Sequence, residues 1–94
     1  MKIQLRSATY ISQIIKSRKV NIELPEPSTL RDLLRVLAET YGQEFYDAVC
    51  NEDGYPADRV AILINGSSAA AIGGPGINLK EGDDVLILPI ISGG

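Results

Sequence analysis

The chain has no histidine, no tryptophan and one cysteine, Cys50. Those absences remove much of the usual catalytic chemistry. A zinc site needs several thiolates and imidazoles, and a chain with one thiol and no imidazole cannot assemble one from its own side chains. A lone cysteine cannot form an internal disulfide, and without a histidine nearby it reads as a small, half-buried apolar residue. Only five residues are aromatic, four Tyr and one Phe, so the core has to be built from aliphatic side chains. Positive charge is also scarce. The net charge is −3 and the only tight basic group is Lys16, Arg18 and Lys19, which argues against nucleic acid as a partner. No apolar run is long enough for a membrane span and the N-terminal segment has no secretory pattern; with the single thiol, a cytoplasmic setting and no membrane partner are expected.

What is present is ordinary for a small folded protein: 94 residues, 45% hydrophobic and 22% charged. That length closes one core, so residues 1–94 are expected to form a single domain. Ile3 and Leu5 alternate with Lys2, Gln4 and Arg6, as in a half-buried strand, and Val20, Ile22 and Leu24 repeat the pattern up to Pro25. Between them, residues 8–17 mix helical spacing (Ile11, Ile14, Ile15) with the extended preference of Thr9-Tyr10-Ile11, and the reading is a loop. The clearest helix begins at Ser28 or Thr29, which offer an N-cap oxygen with Asp32 following. It runs through Leu30, Leu33, Leu34 and Leu37 to a stop at Gly42.

Phe45, Tyr46, Ala48 and Val49 suit a short helix, followed by a polar turn, Asn51-Glu52-Asp53-Gly54. Val60, Ile62 and Ile64 form a strand closed by Asn65-Gly66, a tight-turn pair. Residues 67–72 can return as a short fourth strand, and Gly73-Gly74-Pro75-Gly76 is a loop without the Lys-Ser/Thr of a phosphate cradle. Residues 84–90 make a final strand that is apolar on both faces, as in a central strand under a helix. Either Leu86, Leu88 and Ile90 or Val85, Ile87 and Ile91 should face the helix. The other set is then covered or left as an apolar patch for a partner. The carboxylates Glu52, Asp53, Asp58, Glu81, Asp83 and Asp84 fall in turns and are not spaced as a metal loop. The order of elements gives an α+β fold of the β-grasp kind, a mixed sheet of four to five strands with one main helix packed across it.

The last strand leads into Ser92-Gly93-Gly94. Glycine has no Cβ, so such an end can thread a narrow channel. The terminal carboxyl is then the best candidate for a reactive group. The segment from Lys80 to Gly94 resembles the ending of MoaD- and ThiS-type ubiquitin-like sulfur carriers: an acidic-Gly-Asp turn (Glu81-Gly82-Asp83), an apolar strand, Pro89, a small residue and Gly-Gly. Residues 29–34 are similar to the start of that family's helix, and residues 60–66 to its middle strand and turn.

The resemblance implies that Gly94 is adenylated with ATP by an E1-like adenylyltransferase and converted to a thiocarboxylate. It implies that Ser92 and Gly93 thread the enzyme's channel while Pro89, Ile90 and Ile91 touch the partner. In the MoaD branch the sulfur goes to a pterin precursor inside a large MoaE-like catalytic subunit, for the molybdenum or tungsten cofactor. The chain itself would then be a carrier and small subunit with no bound cofactor or metal. Residues 55–59 and 72–77 make it longer than a compact MoaD, a feature shared with carriers that feed a cysteine synthase. Cysteine or thiamin synthesis and conjugation to protein lysines are therefore the alternatives.

Overall fold

A computed structural model describes residues 1–51 and 56–90. Glu52, Asp53 and Gly54, where a turn is expected, Tyr55, and the terminal residues Ile91, Ser92, Gly93 and Gly94 lie outside the described residues. Strand β1 (Lys2–Ser7) pairs antiparallel with β2 (Lys19–Glu23) and parallel with β5 (Asp84–Pro89). On its other side β5 pairs antiparallel with β3 (Val60–Ile64), which carries the short β4 (Ser67–Ser68). The order β2-β1-β5-β3-β4 puts the last strand of the sequence in the middle of the sheet, the β-grasp arrangement expected.

Helix α2 (Leu30–Tyr41) lies across one face of this sheet. Its start is fixed by a reciprocal pair: the Thr29 hydroxyl oxygen accepts from the Asp32 amide at 3.2 Å, and the Thr29 amide donates to the Asp32 carboxylate at 2.9 Å. These bonds satisfy two amides that a helix start leaves without partners. Leu30, Leu33, Leu34 and Leu37 have no exposed surface and meet Ile3, Leu5, Val85 and Ile87, also buried, in one core. Gly42, at φ +86°, ends α2 and starts α3 (Gln43–Val49), whose Phe45 and Val49 are fully buried. That backbone angle lies in the left-handed region, where glycine is at home.

Residues 8–17, expected as a loop, contain a helix. Helix α1 (Thr9–Ile15) buries Ile11 and Ile15, one turn apart, and ends at Lys16 in the left-handed conformation. Burial at i and i+4 outweighed the local extended preference of Thr9-Tyr10-Ile11. The expected fourth strand over 67–72 is two residues long and gives way to α4 (Ala69–Ile72), because Ala69 turns into the core. The Asn65-Gly66 turn has both residues at positive φ (51° and 87°), the twist-matched form that joins β3 to β4. A 3-10 turn covers Gly74–Gly76, within the expected loop.

Candidate functional site

The site is the far end of β5 and the sheet face around it. β5 alternates: Val85 and Ile87 are fully buried under the helices, whereas Leu86 and Leu88 are half-buried on the opposite face. The choice between the two sets is thereby decided. The set of Val85 and Ile87 faces the helix, and among the described residues the strand is covered on one side only. No residue of that opposite face is buried among Gln4, Arg6, Ala61, Leu63, Asp84, Leu86 and Leu88. Leu86 stands opposite Leu63 and Leu88 opposite Ala61, forming a continuous apolar strip across β3 and β5 that no element covers among the described residues. Cross-strand neighbours of this kind are close enough to act as one surface.

The strip has a polar border. Arg6 lies beside Leu86 in the register of β1 and β5. Its guanidinium grips Asp84 through both carboxylate oxygens, Nε to Oδ1 at 2.8 Å and Nη2 to Oδ2 at 2.6 Å, while the Gln4 amide donates to Oδ1 at 2.9 Å. These bonds hold the Asp84 carboxyl below the usual carboxylate range, and the Arg6 bond is the largest cause. The same contact raises the Arg6 guanidinium. Asn65 ties the hairpin turn to the start of β5: its amide donates to the Asp84 carbonyl at 2.8 Å and its side-chain oxygen accepts from the Asp84 amide at 2.9 Å. The first residue of the strand is thus clamped from both neighbouring strands.

At the other end the strand is released. The pairing of β1 with β5 stops at Ser7 and Ile87, so among the described residues the β1 side of β5 has no strand partner at Pro89. Proline cannot donate a ladder bond, and this register puts it where none is needed. Ile90 makes one last bond, its amide to the Arg59 carbonyl at 2.8 Å, and its side chain is 52% exposed. Of the expected site residues, Pro89 and Ile90 therefore sit at the exit of the central strand. Ile91, Ser92, Gly93 and Gly94 lie outside the described residues.

Two other features carry less chemistry. Cys50 is buried beside a cavity of about 380 Å³ between α2 and α3, and burial raises its thiol above the ordinary value, the unreactive direction. Among the described residues no cluster of three His, Cys, Asp or Glu side chains could hold a metal ion. No helix there is long and apolar enough to cross a membrane. The Ala61 and Leu63 half of the strip, and the Arg6–Asp84 clasp, were not picked out from the sequence. The outward positions of residues 60–64 are apolar, and that was the available signal for the first.

Comparison with known proteins bears on the whole chain. A model of the ThiS family matches residues 9–94. The chain is 26% identical over 97 residues to small archaeal modifier protein 3 of Haloferax volcanii, with both proteins covered in full. Its fold matches Urm1 of Trypanosoma brucei with a TM-score of 0.82 at 23% identity, covering 99% of this chain and 95% of that one. It also matches a Pyrococcus furiosus protein assigned provisionally as subunit 1 of molybdopterin converting factor, at TM-score 0.76 and 26% identity, covering 97% and 99% of the two chains.

Proposed function

Since the chain belongs to the ThiS family of small ubiquitin-like sulfur carriers, we propose that its working group is the carboxyl of Gly94, carried as a thiocarboxylate. A carboxylate is a poor acyl donor until one oxygen becomes part of a good leaving group. An E1-like adenylyltransferase supplies this: the Gly94 oxygen attacks the α-phosphorus of ATP, pyrophosphate departs, and an acyl adenylate forms. A sulfur nucleophile then attacks the acyl carbon and AMP leaves, so that one oxygen is replaced by sulfur. The chain performs none of these steps with its own side chains. It presents the atom.

The observation that carries this reading is the course of β5. The central strand is clamped at Asp84, loses its β1 partner after Ile87 and ends at a half-exposed Ile90, four residues before Gly94. The uncovered strip of Leu63, Leu86 and Leu88 is the surface on which the activating enzyme docks, with Ile90 at its edge and the Arg6–Asp84 clasp as a fixed border. For the acceptor, a pterin precursor in a MoaE-like subunit is the first reading, supported by the likeness to the Pyrococcus furiosus protein. Conjugation of Gly94 to protein lysines is the second, supported by the full-length match to a modifier protein. Both start from the same adenylate.

The test is intact mass after incubation with an E1-like enzyme, ATP and a sulfur donor. Replacement of one oxygen by sulfur at Gly94 is expected. A chain left unchanged by an enzyme that loads other members of the family would overturn the proposal. Adding a pterin precursor with its synthase, or a lysine-bearing protein, then separates the two acceptors.

A further inference from the structure

The tight basic group of the sequence, Lys16, Arg18 and Lys19, has no part in the chemistry above. All three residues are exposed, and none makes an ion pair among the described residues. Their backbone is nevertheless fixed. The Ser17 amide donates to the Ser12 carbonyl at 3.1 Å, the Ser7 amide to the Arg18 carbonyl at 3.0 Å, and the Ser17 hydroxyl to the Lys19 carbonyl at 2.7 Å. Lys16 ends α1 at φ +66°, a left-handed position that favours glycine, so its charge stands where the backbone has no call for a lysine.

Strand register sets this group beside the open face of the sheet. Lys19 stands opposite Arg6, Arg6 beside Leu86, and Leu86 opposite Leu63, in one row across β2, β1, β5 and β3. Neighbouring strands lie about 4.8 Å apart, so roughly 10 Å separates Lys19 from the apolar strip. Arg18 is bonded to Ser7, which pairs with Ile87 of β5. Four of the nine Lys and Arg residues thus gather at one end of a chain whose net charge is −3. Asp84, within reach of the Lys19 charge, is already gripped by Arg6. At the opposite end of the sheet Lys2 and Lys80 stand among Glu23, Glu81 and Asp83.

We propose that the end formed by Arg6, Lys16, Arg18 and Lys19 is the electrostatic part of the docking surface and receives an acidic patch of the enzyme that activates the tail. The proposal rests on the reading of Gly94 above and adds what the partner must carry: carboxylates beside the apolar area that covers Leu63, Leu86 and Leu88. Opposite charges draw two proteins together before contact and fix their relative orientation, an effect on encounter more than on the chemical step. Nucleic acid is the less favoured occupant, because the chain as a whole is acidic and would be repelled by a phosphate backbone.

The test is loading of the full-length chain by an E1-like enzyme with ATP and a sulfur donor, read by intact mass. Arg18→Glu combined with Lys19→Glu should lower kcat/KM about tenfold or more at low salt, through KM and not kcat. Raising the ionic strength from about 0.01 M to about 0.15 M shortens the screening length from about 30 Å to about 8 Å and should remove most of that difference by slowing the parent. Arg18→Lys with Lys19→Arg should load like the parent. Arg18→Gln with Lys19→Gln serves if the reversed pair does not fold. Lys16→Gly should weaken loading while the melting temperature holds or rises, because glycine suits that backbone. Equal kcat/KM for the parent and the reversed pair at low salt would overturn the proposal. So would a short single-stranded RNA bound by the parent and not by the reversed pair while loading is unchanged, which makes nucleic acid the occupant. A parent that takes up no sulfur overturns the reading of Gly94 too, whereas equal loading of parent and variant overturns this proposal alone.

Discussion

Leu34 has no exposed surface and sits in the middle of the apolar stripe of α2. Replacing it with Ala should cost about 2–5 kcal/mol, because the side chain is fully buried in a packed core and its removal leaves a cavity. Denaturant unfolding checks the figure. Asp84 gives a prediction in pH. Its carboxyl titrates below the ordinary range in the folded chain because Arg6 and Gln4 bind the charged form. The unfolded chain therefore takes up protons first as the pH drops, so the contribution is complete above the usual carboxylate value and is lost as pH falls through and below about 4. Asp32, held down chiefly by the Thr29 amide, acts in the same direction. Asp84→Asn should flatten the fall in urea midpoint between pH 5 and pH 3. The identity of the buried residues of α2 was legible in the sequence, since the Leu spacing is a local pattern. The Arg6–Asp84 clasp was not, because its partners are 78 residues apart and only strand register brings them together.

Among the elements, α2 was the easiest to read because its cap, stripe and stop all agree. Thr29→Ala removes the capping oxygen and should lower stability by about 1 kcal/mol, measurable as a shift in denaturation midpoint. Helix α1 was missed for a definite reason. Thr and Tyr favour extended backbone, and only the two isoleucines that reach the core show that a helix pays off there. β5 was read correctly as central, but its composition is apolar on both sides whether or not a second layer covers it. The uncovered strip becomes visible only when Ala61 and Leu63 are seen beside Leu86 and Leu88. Leu88→Asp should leave stability within about 1 kcal/mol, since the residue is only half-buried on an open face. The same variant should slow loading by an activating enzyme at least roughly tenfold, the loss typical of a central interface residue. Equal loading rates for variant and parent would remove this face from the docking surface.

For the whole molecule, body and tail should be separable by experiment. Deleting Gly94, or adding one residue after it, should abolish sulfur loading while the melting temperature stays almost unchanged. Calorimetry and intact mass on the same samples check both halves. The β-grasp topology was legible as a whole because two early strands, a crossing helix and a late apolar strand leave few other ways to close one core. The acceptor was not. The routes proposed for it all start from the same terminal group, so no local motif of the sequence separates them.

The central place of β5 has a consequence for synthesis. Neither β1 nor β3 has its inner neighbour until residues 84–89 are available, so the two halves of the sheet remain unjoined until that strand has been made. A product broken off before residue 84 lacks the strand that unites them and should be left to proteases as an unfolded fragment. Folding itself then acts as proofreading: a molecule that survives in the cell has, by surviving, been made far enough to hold the strand that leads into its tail.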